Sequence, residues 1–84
     1  MLHNSQNLDN LNQFQLVEGI ASTICNANGN TEKNKIIQAL YELIEPTKAK
    51  GGNVINLLKK IAEVIVKDPS GSTANKIINI AKTK

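Results

Sequence analysis

The chain has 84 residues, with ten lysines, no arginine, seven acidic residues and a formal net charge of +3. This length supports one domain at most, and one Phe, one Tyr and no Trp leave out the aromatic platforms on which single-strand nucleic-acid binders stack bases. A single Cys excludes an intrachain disulfide and favours a reducing, cytoplasmic location.

The charge is unevenly distributed along the chain. Residues 1–46 carry two lysines and five acidic residues, whereas residues 47–84 carry eight lysines and two acidic residues. This split suggests that the basic second half meets something anionic: nucleic acid, lipid, a partner or the chain's own first half. The favoured interpretation of its lysines is a solvated face that promotes solubility. Lys offers a point charge without the bidentate fork of Arg, so the pattern argues only weakly for base-specific recognition.

The first predicted element is a helix from about Asp9 to Ala27, preceded by a flexible polar tail over residues 1–8. The folded domain is therefore predicted to span residues 9–84. Asn28-Gly29 has the left-handed preference that commonly closes a helix, and Gly19 weakens the middle of this one. Its predicted apolar face comprises Phe14, Leu16, Val17, Ile20, Ala21, Ile24 and Ala27.

A second helix is predicted to follow a cap at Asn30 or Thr31 and to end before Pro46, which disfavours helical geometry at Glu45. Its predicted apolar side comprises Ile36, Ile37, Leu40, Tyr41, Leu43 and Ile44. Residues 47–52 are predicted to form a linker that can include one helical turn and in which Gly51 or Gly52 has a positive φ.

A third helix is predicted after an Asn53 cap, because the 3.6-residue periodicity over thirteen residues outweighs a strand-like β-branched stretch. Its apolar arc spans about 200° and comprises Val54, Ile55, Leu57, Leu58, Ile61, Ala62, Val64, Ile65 and Val66.

Residues 68–71 are predicted to form a turn. A short fourth helix then begins at a cap predicted among Ser70, Ser72 and Thr73. The complete pattern predicts an all-α fold, a small four-helix bundle with three longer helices and a short C-terminal one.

Catalytic chemistry is not expected from this chain. His3 is alone in the predicted tail, Cys25 has no neighbouring base in the sequence, and no ligand spacing for zinc is present. Glu42 and Glu45 share a helix face, but two carboxylates alone are typical of a solvated surface. We expect no enzyme activity, no cofactor and no metal, with Cys25 as a small residue at the border of a core face.

The apolar arcs of the predicted helices are wider than the stripe of somewhat over 100° that a small monomeric bundle needs. The excess predicts a second hydrophobic contact, made with another protein or with a second copy in a homodimer. The sequence therefore predicts a small interaction or regulatory module. Its predicted interaction surface flanks the third helix arc and comprises Ile55, Leu57, Ala62, Val64 and Val66.

Two alternatives stay open. The first is a nucleic-acid-associated regulator that binds weakly and without sequence preference through Lys48, Lys50, Lys59, Lys60, Lys67 and Lys76. The second is an immunity-type helical bundle acting against a membrane-active peptide, which rests on size and helicity alone. Neither a signal peptide nor a membrane-spanning segment is predicted, since no apolar run approaches about 18 residues.

Overall fold

The computed structural model of the chain describes residues 2–29 and 31–83, and the side chains of these residues from Asn12 onward. Its elements are four helices: α1 (Leu2–Asn28), α2 (Lys33–Ala49), α3 (Val54–Lys67) and α4 (Ser72–Lys82). No strand occurs in the described part of the chain. The prediction of an all-α bundle with three longer helices and a short C-terminal one is confirmed.

The first helix is longer than predicted, since it begins at Leu2 and not near Asp9. Residues 2–11 contain neither Gly nor Pro, so no residue interrupts the helix on the N-terminal side. The flexibility expected of residues 1–8 remains a prediction, and Met1 lies outside the described residues. The helix ends as predicted, because Gly29 has a φ of 75° and donates from its N–H to the Cys25 carbonyl at 3.0 Å.

The second helix continues past Pro46 to Ala49, so the predicted end at Glu45 is wrong. Proline removes one N–H donor, but the next turn closes through hydrogen bonds from Lys50 to Pro46 (3.2 Å) and from Gly52 to Thr47 (2.8 Å). The predicted linker is thereby reduced to a tight turn in which Gly51 has the expected positive φ of 75°.

The caps of α2 and α4 differ from the predictions. Residue 32 is the N-cap of α2 and makes no side-chain capping bond, so Thr31 is not the cap, and Asn30 lies outside the described residues. The N-cap of α4 is Gly71 and not one of the predicted hydroxyl residues. A Cβ at Gly71 would lie 2.6 Å from Cγ of Asp68, an exposed side chain that would have to rotate to admit a larger residue there.

The predicted cap of α3 is confirmed. Oδ1 of Asn53 accepts a hydrogen bond from the backbone N–H of Asn56 at 3.0 Å. This bond satisfies one of the free donors of the first turn and fixes where α3 begins, directly after the glycine turn.

The core of the described residues is entirely apolar and draws on all four helices. Its buried members are Val17, Ile20, Ala21, Ile24, Ile36, Ala39, Leu40, Ile44, Leu58, Ile65, Ala74, Ile77 and Ala81. The apolar face predicted for the first helix is too broad, because Phe14 is 44% exposed and Ala27 is also exposed. Both lie at the edge of the stripe that α1 buries.

The seam between α1 and α3 is open on its outer side. Helix α1 packs most closely against α3, while α4 packs chiefly against α2. The bundle measures 42 × 21 × 20 Å, and α1 sets the long dimension, since 27 residues at 1.5 Å each span about 40 Å. Because α4 sits on α2, no helix of the described chain covers the outer side of the α1–α3 pair.

Candidate functional site

An apolar hollow of about 240 Å³ lies in the uncovered seam between α1 and α3. Its α1 wall contains Leu16, Gly19, Ile20 and Thr23, which recur at the i, i+3, i+4, i+7 spacing of a single helix face. Ala62, Ile65 and Val66 form the α3 wall, and Gln15 completes the rim.

The hollow continues along the seam towards the beginning of α3. A neighbouring hollow of about 390 Å³ shares Gln15 and Leu16 with the first and adds Asn12, Ile55 and Lys59. We call the combined feature the α1–α3 groove, lined by Asn12, Gln15, Leu16, Gly19, Ile20 and Thr23 of α1 and by Ile55, Lys59, Ala62, Ile65 and Val66 of α3. Asn12 lies beside the start of α3 and Thr23 beside its end, so the two helices run in the same direction.

Small residues give the groove its depth. Gly19 has no side chain, and a Cβ placed there would meet no atom within 4 Å. Across the seam stands Ala62, which contributes a single methyl group. Val66 rises at the lip of the groove and is 71% exposed, the largest value among the large apolar side chains that the structure describes as exposed. The groove is therefore an open apolar slot between two small residues.

The structure separates the five residues of the predicted interaction surface into two groups. Ile55, Ala62 and Val66 line the α1–α3 groove. Leu57, which is half-buried, and Val64, which is 46% exposed, lie on the other edge of α3.

The α1 wall was not predicted from the sequence. Gly19 and Ala62 are small residues on apolar arcs, and this is the signal that could have indicated a slot. Periodicity identifies the apolar side of each helix, but it does not say which helices are neighbours.

The six lysines of the predicted anionic-ligand surface, Lys48, Lys50, Lys59, Lys60, Lys67 and Lys76, are all exposed. Within the described part of the chain none of them lies within 4.0 Å of a carboxylate; the ion pair found there joins Nζ of Lys35 to Oε2 of Glu32 at 4.0 Å. The six residues are spread over the end of α2, the following turn, α3 and α4, and only Lys59 lines the α1–α3 groove. Among the side chains that the structure describes, from Asn12 onward, no acidic residue lines that groove.

The residues considered for catalysis are dispersed. Cys25 is partly buried in α1, where burial raises the pKa of its thiol and the positive charge of Lys33 opposes that rise to a smaller extent. Glu42 and Glu45 line a separate open hollow on α2 together with Gln38 and Tyr41. In the described ranges no three His, Cys, Asp or Glu residues are grouped in a way that could hold a metal ion. The side chain of His3 lies outside the described residues.

None of the helices, over the residues that the structure describes, combines the length and apolarity needed to cross a membrane. A comparison with protein-family models, curated proteins and solved structures found no match for the chain.

Proposed function

We propose that this protein is a small non-enzymatic interaction module that binds another protein through the α1–α3 groove and the adjoining surface of α3. The observation that carries the proposal is the exposure of Val66, 71%, at the lip of an apolar slot. Single exposed apolar residues are ordinary on protein surfaces. An exposed residue continuous with half-buried apolar neighbours, here Leu16, Ala62 and Ile55, is typical of a contact surface.

The shape of the groove favours a protein side chain over a small-molecule ligand. Its two hollows, of about 240 and 390 Å³, form an open slot, whereas a small-molecule pocket encloses most of its ligand's surface. In the part of the chain whose side chains are described, its walls carry no group of titratable residues that could orient a substrate. A partner's apolar side chain needs only shape and an apolar surface, and the groove offers both.

The expected affinity is moderate. Covering a few hundred Å² of apolar surface gives several kcal/mol at about 25 cal/mol per Å². Lost translational and rotational freedom and side-chain ordering offset much of that gain. A regulatory contact that forms and dissociates readily suits these values better than a permanent complex.

The test combines affinity capture from the host with light scattering on the purified protein. We expect Val66→Lys to abolish the capture that the wild type shows, because a charge at the lip cannot be buried cheaply against an apolar partner. Asn75→Lys is the matched control, since it adds the same charge at an exposed position on α4. The proposal is refuted if Val66→Lys and Asn75→Lys capture host proteins equally well. It is also refuted if the wild type is monomeric and its capture of host proteins does not depend on Val66.

One observation supports a second candidate function, nucleic-acid binding. The six exposed lysines have no carboxylate partner in the described part of the chain, which favours contact with a polyanion. Their spread over several elements and the lack of Arg support only weak, sequence-tolerant nucleic-acid binding. The immunity-type alternative still rests on size and helicity, and no contact or cavity adds to it.

A further inference from the structure

We infer that the α1–α3 groove accepts an acidic amphipathic helix of a partner protein. That helix places one large apolar side chain between Gly19 and Ala62 and an Asp or Glu against Lys59. The inference rests on the proposed interaction function and names the chemistry of the partner.

The shape of the α1 wall matches a helical occupant. Leu16, Gly19, Ile20 and Thr23 frame a hole with the spacing that receives a single knob side chain when helices pack side by side. The absence of a Cβ at Gly19 lets the backbone of an incoming helix approach α1 closely. Because α1 and α3 run in the same direction, their seam is a straight slot in which a third helix can lie lengthwise.

The charge of the groove lining favours a partner helix of opposite charge. Among the described side chains of its lining Lys59 is the charged one, and Asn12, Gln15 and Thr23 on the opposite wall are uncharged. Along α3, Lys59 lies three residues before Ala62 and seven before Val66, which corresponds to about 5–10 Å. An acidic residue three to seven positions from the apolar anchor of the partner helix would therefore meet Lys59.

A second copy of this chain fits the groove less well. The part of this chain that best matches the expected apolar and acidic pair is Phe14 with Glu18 on α1. Phe14 is 44% exposed, and Glu18 follows it by one helical turn. Phe14 and Gly19 are five residues apart, roughly 140° around the helix, so this edge and the groove face opposite ways. A contact between copies would then be head-to-tail and would grow into rings or filaments instead of closing as a dimer.

The experiment is a selection from a displayed library of amphipathic helices whose apolar and charged positions are varied, with the full-length protein as bait. Counter-selection uses Gly19→Leu, which adds a large side chain at the hole and should leave the helix intact, because a Cβ at this position meets no atom within 4 Å and Leu favours helix over Gly. We expect selected helices to carry one Leu, Phe or Met with an Asp or Glu three to seven residues away. Their affinity should fall about tenfold or more with Gly19→Leu, as expected for loss of a central anchor.

Charge reversal tests the contact with Lys59. Lys59→Glu should weaken the selected helices a few-fold at low salt, and helices whose acidic residue is replaced by Lys should then bind the variant better than the wild type. Circular dichroism of both variants confirms that the bundle is intact.

Several results would overturn the inference. The first two are selected helices with no preference for acidic residues and helices that bind the wild type and Gly19→Leu equally well. The third is a protein mass that grows with concentration in the wild type and is that of a monomer in Phe14→Ala. The fourth is displacement of the bound helix by nucleic acid at low salt. If the selection yields no helix while capture of a host protein still depends on Val66, the inference fails and the proposed function stands. If neither is observed, both fail.

Discussion

Asn28, the last residue of α1, donates a hydrogen bond from Nδ2 to the carbonyl oxygen of Pro69 in the α3–α4 turn at 3.0 Å. The same amide nitrogen donates to the Ile24 carbonyl at 2.8 Å. One side chain thus closes the C-terminal end of α1 and ties it to the end of α3, residues 41 positions apart in sequence. This tie holds in place the two helices that form the α1–α3 groove.

Removing this tie should destabilise the bundle. Asn28→Ala is expected to lower the free energy of unfolding by about 1–2 kcal/mol, since two partly buried hydrogen bonds are lost. Asn28→Asp should cost more than Asn28→Ala, because a carboxylate cannot donate to two carbonyl oxygens and its charge lies at the negative end of α1. Urea denaturation of the three proteins tests the order. A variant with Asp that is as stable as the wild type would contradict it.

Two glycines should respond to alanine in opposite ways. Gly19→Ala should raise the free energy of unfolding by up to about 1 kcal/mol, because the residue is exposed in mid-helix and the new methyl meets no atom within 4 Å. Gly51→Ala should lower it by about 1 kcal/mol, since Gly51 has a φ of 75°. Thermal unfolding should show shifts of opposite sign. A loss of stability with Gly19→Ala would mean that the groove is not open at this point.

Substitutions on α3 should separate association from folding. Val66→Lys replaces an exposed residue at the lip of the α1–α3 groove and should abolish association while helicity stays unchanged. Val64→Lys adds the same charge on the other edge of α3 and should leave both association and helicity unchanged. Leu58→Ala should lower the free energy of unfolding by about 2–5 kcal/mol, because Leu58 is fully buried and its truncation leaves a cavity. Ile61 is only half-buried, so Ile61→Ala should cost less than Leu58→Ala. Circular dichroism with light scattering distinguishes the two classes, and loss of helicity in the Val66 variant would place that residue in the core.

The thiol of Cys25 should react slowly in the folded protein. Burial raises its pKa, and the nearby Lys33 charge offsets this only in part, so less of the reactive thiolate is present near neutral pH. Iodoacetamide should therefore alkylate the native protein more slowly than the protein unfolded in guanidinium.

The same shift sets the sign of a pH effect on stability. The pKa of the Cys25 thiol is higher in the folded protein than in the unfolded protein. The contribution of this thiol to the free energy of unfolding is therefore fully present below the unfolded pKa and is lost as pH rises through the folded pKa. Cys25→Ala is the control and should remove that alkaline loss. Alkylation at the same rate in both states would contradict the prediction.

Nucleic-acid binding should be weak and governed by salt. The exposed Lys60 and Lys67 carry charge on α3 away from the groove, and Arg and Trp are absent from the sequence. Any complex seen in a gel shift at low salt should be lost near about 150 mM, with no preference among sequences. Lys60→Gln with Lys67→Gln should reduce the salt dependence if these residues contact phosphates. Tight, sequence-selective binding at about 150 mM would instead favour the nucleic-acid alternative.

The parts of the fold that depend on local chemistry were predictable from the sequence. The turns at Gly29 and Gly51 and the Asn53 cap follow from residue preferences that act within a few positions. The continuation of α2 past Pro46 was not predictable in this way, because the cost of one lost hydrogen bond is offset by the bonds that close the next turn. The Gly71 cap was not predicted because the hydroxyl residues Ser70 and Ser72 lie on either side of it and are stronger N-cap candidates than glycine.

The candidate site could be predicted only in part. The broad arc of α3 indicated an exposed apolar edge, and Val66 is indeed exposed. The second wall of the groove comes from α1, and its position follows from α4 packing on α2 and leaving the α1–α3 seam uncovered. Gly19 looks like a weak point of a helix when the sequence is considered alone, and it becomes a wall of the groove only when Ala62 lies opposite it.

The 42 Å length that α1 gives to the molecule affects how its mass has to be measured. A particle twice as long as it is wide has a larger frictional coefficient than a sphere of the same 9.1 kDa, so its Stokes radius exceeds that of a compact monomer. In gel filtration such a monomer elutes early and resembles a larger species. Sedimentation equilibrium, which depends on mass and not on shape, is therefore the method that can tell an elongated single chain from an assembled pair.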